Sequence, residues 1–506
     1  MSRRDLWNML FLLLVGLMIG LVGFLILPRV PVNPDAVGYF TSARNLLLGK
    51  GLVTSLATVT PAYLMGAPNP DLHMPGYPLL LAGFMWLTRT GIYSPVLLNI
   101  FLAVASAILV YFTVLLWSDR GKAIAASLLF LFFPAVLIYE FTGLAEMALV
   151  FWVMLSLFLA SAPGRFIPRF IGAGLTLLIA YITRETTLLF VPLVVAILVE
   201  RGARGWSIMA FTVVVLGACL ASSYFYYLHW PGFAETHYIF AGYTALFRTG
   251  VLRENQNPMM DIVTRHDMFA GISPVDLTLL LLKKPFRLIT TIWGSKSWIT
   301  VAMDAWSFFA ILLAPLVARG RWMRLGLVFA ALIIPAMFTL YKPTSDYFMR
   351  ITMVFALVAI VFVVIWIKRS TITKILLGVA IPVEFALGVL GAMNYQEPAR
   401  IIVDKTERIE EMLAGNLPAE SRIIGIRGAP LGTYCLRHPD VTTVFYPREP
   451  GDALLLNERL GTDALVFASS GFERIQPYPG LEALGWQQKV LTYDGDTVFV
   501  FTRKGE

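Results

Sequence analysis

The run Asn33-Pro34-Asp35 places a carboxylate in the first turn of a helix. Asparagine is a favoured N-cap, proline suits the first helical position, and an acid there meets the positive end of the helix dipole. The pattern predicts a helix to Leu48 that stops at Gly49 and Gly51. Ala36, Phe40, Ala43 and Leu47 form an apolar stripe, while Asp35, Tyr39 and Ser42 share another face at i, i+4 and i+7. An amphipathic helix of this kind lies on a membrane surface and would hold Asp35 at the bilayer–water boundary. In its plainest role the acid only stabilises its helix, by about 0.3–1 kcal/mol. In a site it could take a proton from a hydroxyl group.

Other ionisable groups fall at the ends of apolar runs. Glu140 and Glu146 bracket a short turn, Arg184, Lys342 and Arg350 stand at span ends, and Arg44 and Lys50 follow Asp35. A guanidinium can hold a phosphate through paired hydrogen bonds. A cation at a span end can equally do no more than anchor it by snorkelling. His229, Glu235 and His237, with Asp261, His266 and Asp267 beyond, could hold a divalent metal. Their spacing matches no helical zinc motif, so ordinary loop polarity is the stronger reading and no cofactor is required.

The elements that must position these groups follow from composition. The 506 residues are 58% hydrophobic and 14% charged, against roughly half and a quarter in a soluble domain. A water-soluble enzyme, disorder, collagen and coiled coil are excluded. Two cysteines, Cys219 in an apolar run and Cys435 in a polar one, form no disulfide framework. The net charge of +8 does not indicate nucleic acid, because the basic residues fall between apolar spans.

Residues 6–27 are an uncharged run after Ser2-Arg3-Arg4, too long for a signal peptide and lacking its cleavage site. Ten further spans are expected at 93–117, 123–139, 146–161, 167–183, 186–199, 206–228, 298–318, 325–341, 351–367 and 375–395. With eleven spans and a cytoplasmic N-terminus, every short inner loop carries at least two basic residues, from Arg3 and Arg4 to Lys368, Arg369 and Lys374. Counting 75–88 as a span would invert every later loop, so it reads as a juxtamembrane helix. The C-terminus is then outside, with outer loops 28–92 and 229–297. The second, with Trp230, Tyr238 and Tyr243, could act as a lid.

Residues 1–395 thus form a transmembrane domain and 396–506 a small extracytoplasmic α/β domain. Ile401 to Leu413 and Ala453 to Leu460 read as helices. Strands are expected at 422–427, 441–446 and 464–468, with a hairpin, 488–493 and 497–502, about Asp494-Gly495. No glycine-rich phosphate loop follows a strand, so this domain reads as a scaffold or partner module.

The order of PDAVGYFTSARNLLLGKG, HMPGYPLLLAGFMWLT, TGLAEMALVFWVMLSLFLA, ITRETTLLFVPL and KPTSDYFMRITMVFAL resembles the GT-C superfamily of polyprenyl-phosphate-sugar glycosyltransferases. Within it, the chain is similar to the branch of protein O-mannosyltransferases and lipid A aminoarabinose transferases. The resemblance covers roughly residues 1–395. It implies that Asp35 is the catalytic base, although Ala36 follows it where many members have a second acid. It matches Glu146 to an acid that faces the first loop and orients acceptor or base, with Glu140, Tyr39, Asp71 and His73 shaping the same cleft. His73 precedes Met74-Pro75-Gly76-Tyr77-Pro78 where relatives often have His-Pro-Pro. The Trp-Trp-Asp signature of oligosaccharyltransferases is missing.

The resemblance further implies transfer of a sugar from a flipped polyprenyl-phosphate donor to an outer glycan, lipid or protein, with inversion. The donor phosphate would meet Arg184, Arg350, Lys342, Arg44 and Lys50. Membrane lipids are the other partner, and a bacterial cytoplasmic membrane is the expected location. The alternatives are a transporter or flippase of a lipid-linked precursor, for which Glu384 beside Pro382 is the one intramembrane acid without an explanation, and an envelope scaffold.

Overall fold

The computed structural model describes residues 2–29, 33–58, 74–203, 205–229, 309–340, 345–368, 370–417, 421–426, 434–435, 437–438, 441–445, 462–468, 481, 485–493 and 496–503. The loop 229–297 past its first residue, the first part of span 298–318 and the expected helix 453–460 lie outside them. Five described helices are long and apolar enough to cross a membrane, and shorter apolar helices accompany them. The chain is a mostly helical, polytopic membrane protein.

The helices are α1 (Arg3–Ile26), α2 (Pro34–Leu47), α3 (Gly76–Thr88), α4 (Ser94–Leu115), α5 (Arg120–Phe132), α6 (Pro134–Tyr139), α7 (Glu146–Ser161) and α8 (Phe166–Thr183). They continue as α9 (Val191–Glu200), α10 (Gly205–His229), α11 (Arg321–Leu340), α12 (Ser345–Trp366) and α13 (Thr371–Ala414). Residues 309–317 are also helical. Two expected spans are broken. Pro134 cannot continue α5, so 123–139 divides into α5 and α6. The span 186–199 begins as a 3₁₀ turn, Glu185–Phe190, before α9.

Small residues let α1 lie close on α4. A methyl group built on Gly16 would come 2.7 Å from Val104 Cγ2, and one on Gly20 would come 2.4 Å from Ile100 Cγ2. At one end of the bundle the basic residues of the short loops close helix ends. Lys122 Nζ donates to the carbonyls of Ile365 and Ile367 at 3.0 and 2.7 Å. Arg201 donates to Leu116 O and lies 3.9 Å over the Trp117 ring. Arg324 donates to Ala318 O, and Arg120 pairs with Asp5, which also accepts from Tyr111. Lys122, Arg201 and Arg324 thereby meet carbonyls that a helix C-terminus leaves unpaired.

At the other end α3 does not cross. Its first residue, Gly76, packs against the Ile182 carbonyl at the end of α8, where a Cβ would come within 2.6 Å. Its last turn ends at Arg89 in the left-handed region (φ 55°), and the chain re-enters the bundle at Ser94. α2 and α3 therefore form a layer lying over the ends of the bundle helices.

The tail strands are β2 (Ile423–Ile426), β3 (Val441–Phe445), β4 (Ala464–Ala468), β5 (Trp486–Tyr493) and β6 (Asp496–Arg503), all at the expected places. A further strand, β1 (Leu56–Thr58), comes from the first outer loop and pairs in parallel with β3, Ala57 opposite Val444. The sheet order is β1-β3-β2-β4-β6-β5, with β5 and β6 the antiparallel hairpin. Two further features cut across the expected boundary at 395/396. α13 runs through it unbroken, and at 1.5 Å per residue its 44 residues span about 66 Å, twice a ~30 Å bilayer core. Its far end packs Ile409, Met412 and Leu413 in the core shared with the sheet.

Gly16→Ala is expected to lower the thermal midpoint of the purified protein, because Val104 must move. Gly217→Ala, which meets nothing within 4 Å, is expected to leave it level or raise it. Equal losses for the two would contradict close α1–α4 packing.

Candidate active site

Asp35 stands where the cap pattern predicts. The Asn33 side chain accepts from the Asp35 backbone N–H at 3.0 Å, and Pro34 opens the helix. Asp35 is half-buried. The expectation of a helix with one polar face to water does not hold. The apolar stripe is buried at Ala36, Phe40 and Ala43, but so are Tyr39, Thr41, Ser42 and Asn45 on the other side, whereas Leu47 is exposed. The reason is α3, which covers that second face: the Tyr39 and Tyr77 rings meet edge-on with centroids 5.0 Å apart. Tyr39 lies one helical turn, about 6 Å of rise, from Asp35.

Tyr77 connects this layer to the bundle. Its hydroxyl donates to Asn99 Oδ1 at 3.0 Å, and Asn99 Nδ2 donates to the carbonyls of Tyr139 and Leu144 at 3.1 and 2.9 Å. Asn99 is fully buried. It fixes the turn between α6 and α7, and Glu146 opens α7 immediately after. Burial pushes the Tyr77 phenol well above its ordinary pKa, and the Glu146 carboxylate beside it adds to the rise.

Glu146 is 1% exposed and forms an ion pair with Arg184, whose side chain is 20% exposed. Arg184 occupies the break between α8 and the following 3₁₀ turn in an extended conformation, and Thr187 Oγ1 donates to its carbonyl. Glu146 therefore holds Arg184, a partnership the expectation of acceptor or base orientation did not include. A chain of contacts now runs from Arg184 through Glu146, Tyr77 and Tyr39 to the turn that carries Asp35. Tyr77 and Asn99 were not among the sequence candidates. An asparagine within the apolar run 94–115 was the available signal, since a buried amide needs partners.

The remaining candidates lie elsewhere. Glu140 is 1% exposed, with Oε1 near Gly20 of α1; burial pushes its carboxyl well up. Arg44 is nine residues, about 13.5 Å, along α2 from Asp35. It donates to Cys435 O at 2.9 Å and to Ser55 Oγ at 3.4 Å, so it joins α2 to the tail domain. Nearby, Asn45 Nδ2 donates to Val53 O and Thr41 meets Thr54, folding the chain back toward β1. Lys50 is exposed beyond the far end of α2. Arg350 belongs to α12, but its side chain is outside what is described, as is that of His229 at the end of α10. Asp71, His73, Lys342, Glu235 and His237 lie outside the described residues, as do Asp261, His266, Asp267 and Asp304. Among the described residues no three His, Cys, Asp or Glu side chains gather as a metal set. Glu384 is buried in α13.

Two outcomes test this geometry. Breaking a buried ion pair from one side costs about 3–5 kcal/mol, because the other charge stays behind. Glu146→Gln and Arg184→Gln should each lower the thermal midpoint, and the double variant should lose less than the sum. Additive losses would mean the two do not interact. For Glu140 the folded chain holds its proton more tightly than the unfolded chain. Stability is then full below the ordinary glutamate pKa and falls as pH rises above it toward the folded-state value. Glu140→Gln should flatten that slope between pH 5 and 8 while keeping the midpoint at pH 5.

Comparison with known proteins found no matching family model and no matching curated protein. Solved structures do match. ArnT from Cupriavidus metallidurans bound to undecaprenyl phosphate superposes with a TM-score of 0.51 at 15% identity, over 98% of each chain. An oligosaccharyltransferase from Archaeoglobus fulgidus, tethered to an acceptor peptide, gives 0.51 at 11% identity, over 92% of this chain and 69% of that one. The mycobacterial arabinofuranosyltransferase AftD gives 0.50 at 13% identity, over all of this chain and 40% of that one. These are GT-C glycosyltransferases. From its first helix to its C-terminal sheet, the chain has the fold of the GT-C membrane glycosyltransferases.

Proposed function

We propose that this chain is an integral membrane glycosyltransferase that moves a sugar from a polyprenyl-phosphate donor to an extracytoplasmic acceptor, with Asp35 as general base. The observation that carries the reading is the placing of Asp35. A half-buried carboxylate stands in the first turn of α2, held by Asn33 and joined through Tyr39, Tyr77 and Glu146 to Arg184. The fold supports it, since ArnT with the same fold was solved with undecaprenyl phosphate bound.

The chemistry suits these groups. The acceptor hydroxyl gives its proton to Asp35 as its oxygen bonds to the anomeric carbon. The bond from that carbon to the phosphate oxygen breaks on the opposite side, and its electron pair leaves with the phosphate. The configuration inverts. The leaving phosphate needs a positive partner more than an acid, and a guanidinium fixed in place before reaction supplies it without reorganisation. Arg184 is the described residue best suited, because Glu146 and the extended backbone at the helix break fix its position. The helix N-terminus keeps Asp35 ionised. On this reading the α2–α3 layer and the sheet are extracytoplasmic, and residues 1–395 carry the chemistry while the tail supports α2.

Asp35→Asn is the decisive change. The cap bond uses the Asp35 backbone N–H, so the substitution leaves it intact and costs the helix about 0.3–1 kcal/mol. Transfer from a polyprenyl-phosphate sugar in vesicles should fall by about 10²–10⁴-fold with the fold unchanged. Transfer at the parental rate would end the assignment. A transporter or scaffold would be indifferent to the same change.

A further inference from the structure

A groove of about 360 Å³ runs between α1 and α13, floored by the α5–α6 break. Its lining is wholly apolar, with Val15, Met18 and Val22 on one wall, Phe385 and Met393 on the other, and Phe132 at the floor. Phe132 and Phe385 meet edge-on at 4.9 Å, which closes one end. On α1 the lining runs from Val15 to Leu27. Twelve residues rise about 18 Å, close to the half-thickness of a ~30 Å hydrocarbon core. The groove therefore has the length of one leaflet and lies along the half of α1 remote from Ser2.

Its upper end is cationic. Arg400 of α13 donates to the carbonyl of Ile26, itself a lining residue, at 2.6 Å. Arg29, just past α1, lies 5.3 Å over the Phe24 ring. Both are exposed. Arg400 continues the groove face of α13, seven residues beyond Met393. The acids Glu397 and Asp404 fall to one side of that face, by about 90° and 70° at 100° per residue. The polar group between face and bundle, Gln396, is neutral and donates to Phe141 O.

A chain-length apolar slot under two exposed guanidinium groups is complementary to a lipid with a phosphate head. We propose that this groove binds one anionic phospholipid, its acyl chain between α1 and α13 and its phosphate between Arg29 and Arg400. The slot is too short for a full polyprenyl chain, and none of its lining comes from α7 or α8, which carry Glu146 and Arg184. Such binding requires membrane embedding alone and not the proposed reaction.

The test is native mass spectrometry of the full chain from nanodiscs of phosphatidylglycerol and phosphatidylcholine in equal parts. The parent should retain one phosphatidylglycerol after mild detergent release. Arg29→Ala combined with Arg400→Ala should lower that retention at least fivefold. Met18→Trp fills the slot from a lipid-exposed position and should lower it as well with both arginines in place. Monodisperse elution of each variant would show that it has folded. Equal retention by parent and variants, no preference over phosphatidylcholine, or a retained polyprenyl phosphate in place of the phospholipid would each overturn the proposal.

Discussion

A buried amide in an apolar bundle must find its partners inside the protein, and Asn99 does so at three points. It accepts from Tyr77, which belongs to the overlying helix layer, and donates to two carbonyls of the α6–α7 turn. Leaving any of these groups unpaired away from water would cost about 1–3 kcal/mol. The layer and the turn are thus locked together where the candidate site lies. Glu146 begins the helix after that turn, and Tyr39 rests on Tyr77. Position at the site is set by an uncharged hydrogen-bond node, leaving the charged groups for chemistry.

The opposite end of the bundle uses charge differently. Lys122, Arg201 and Arg324 sit in the short connections whose positive charge orients such a chain in a membrane. Each also donates to carbonyls at a helix C-terminus. One side chain so serves two demands of a bilayer, the bias against moving cations across it and the need to satisfy every helix end.

The outer elements are more entangled than a membrane domain with a display module. A strand from the first loop completes the sheet, Arg44 bonds to the carbonyl of Cys435, and α13 extends through the expected boundary into the core of the tail. Close by, Arg437 and His438 both reach Glu410 of α13. Burial, with the Glu410 carboxylate beside it, raises the Tyr434 phenol in the same cluster. α2 is consequently held by the tail at its far end and by α3 along its length, so Asp35 projects from a helix with little freedom to tilt.

What the amino-acid order determined by itself was everything that local physics decides. The Asn-Pro-Asp cap set the start of α2, proline and glycine set helix ends, and alternating β-branched residues set five strands within one or two residues. Apolar length and basic loops indicated a polytopic bundle, and the ordered motifs indicated its fold. Tertiary structure alone decided which distant residues meet. The three-residue β1 has no periodicity of its own and is a strand only because β3 offers it hydrogen bonds. Arg44 and Arg184 are alike in sequence as cations near apolar runs, yet one joins the tail and the other pairs with Glu146. Tyr39 and Ser42, expected at a wet face, are buried because α3 lies on them. A helical or strand pattern is written within a few residues, whereas the partner of a charge or an amide is set by groups tens to hundreds of positions away.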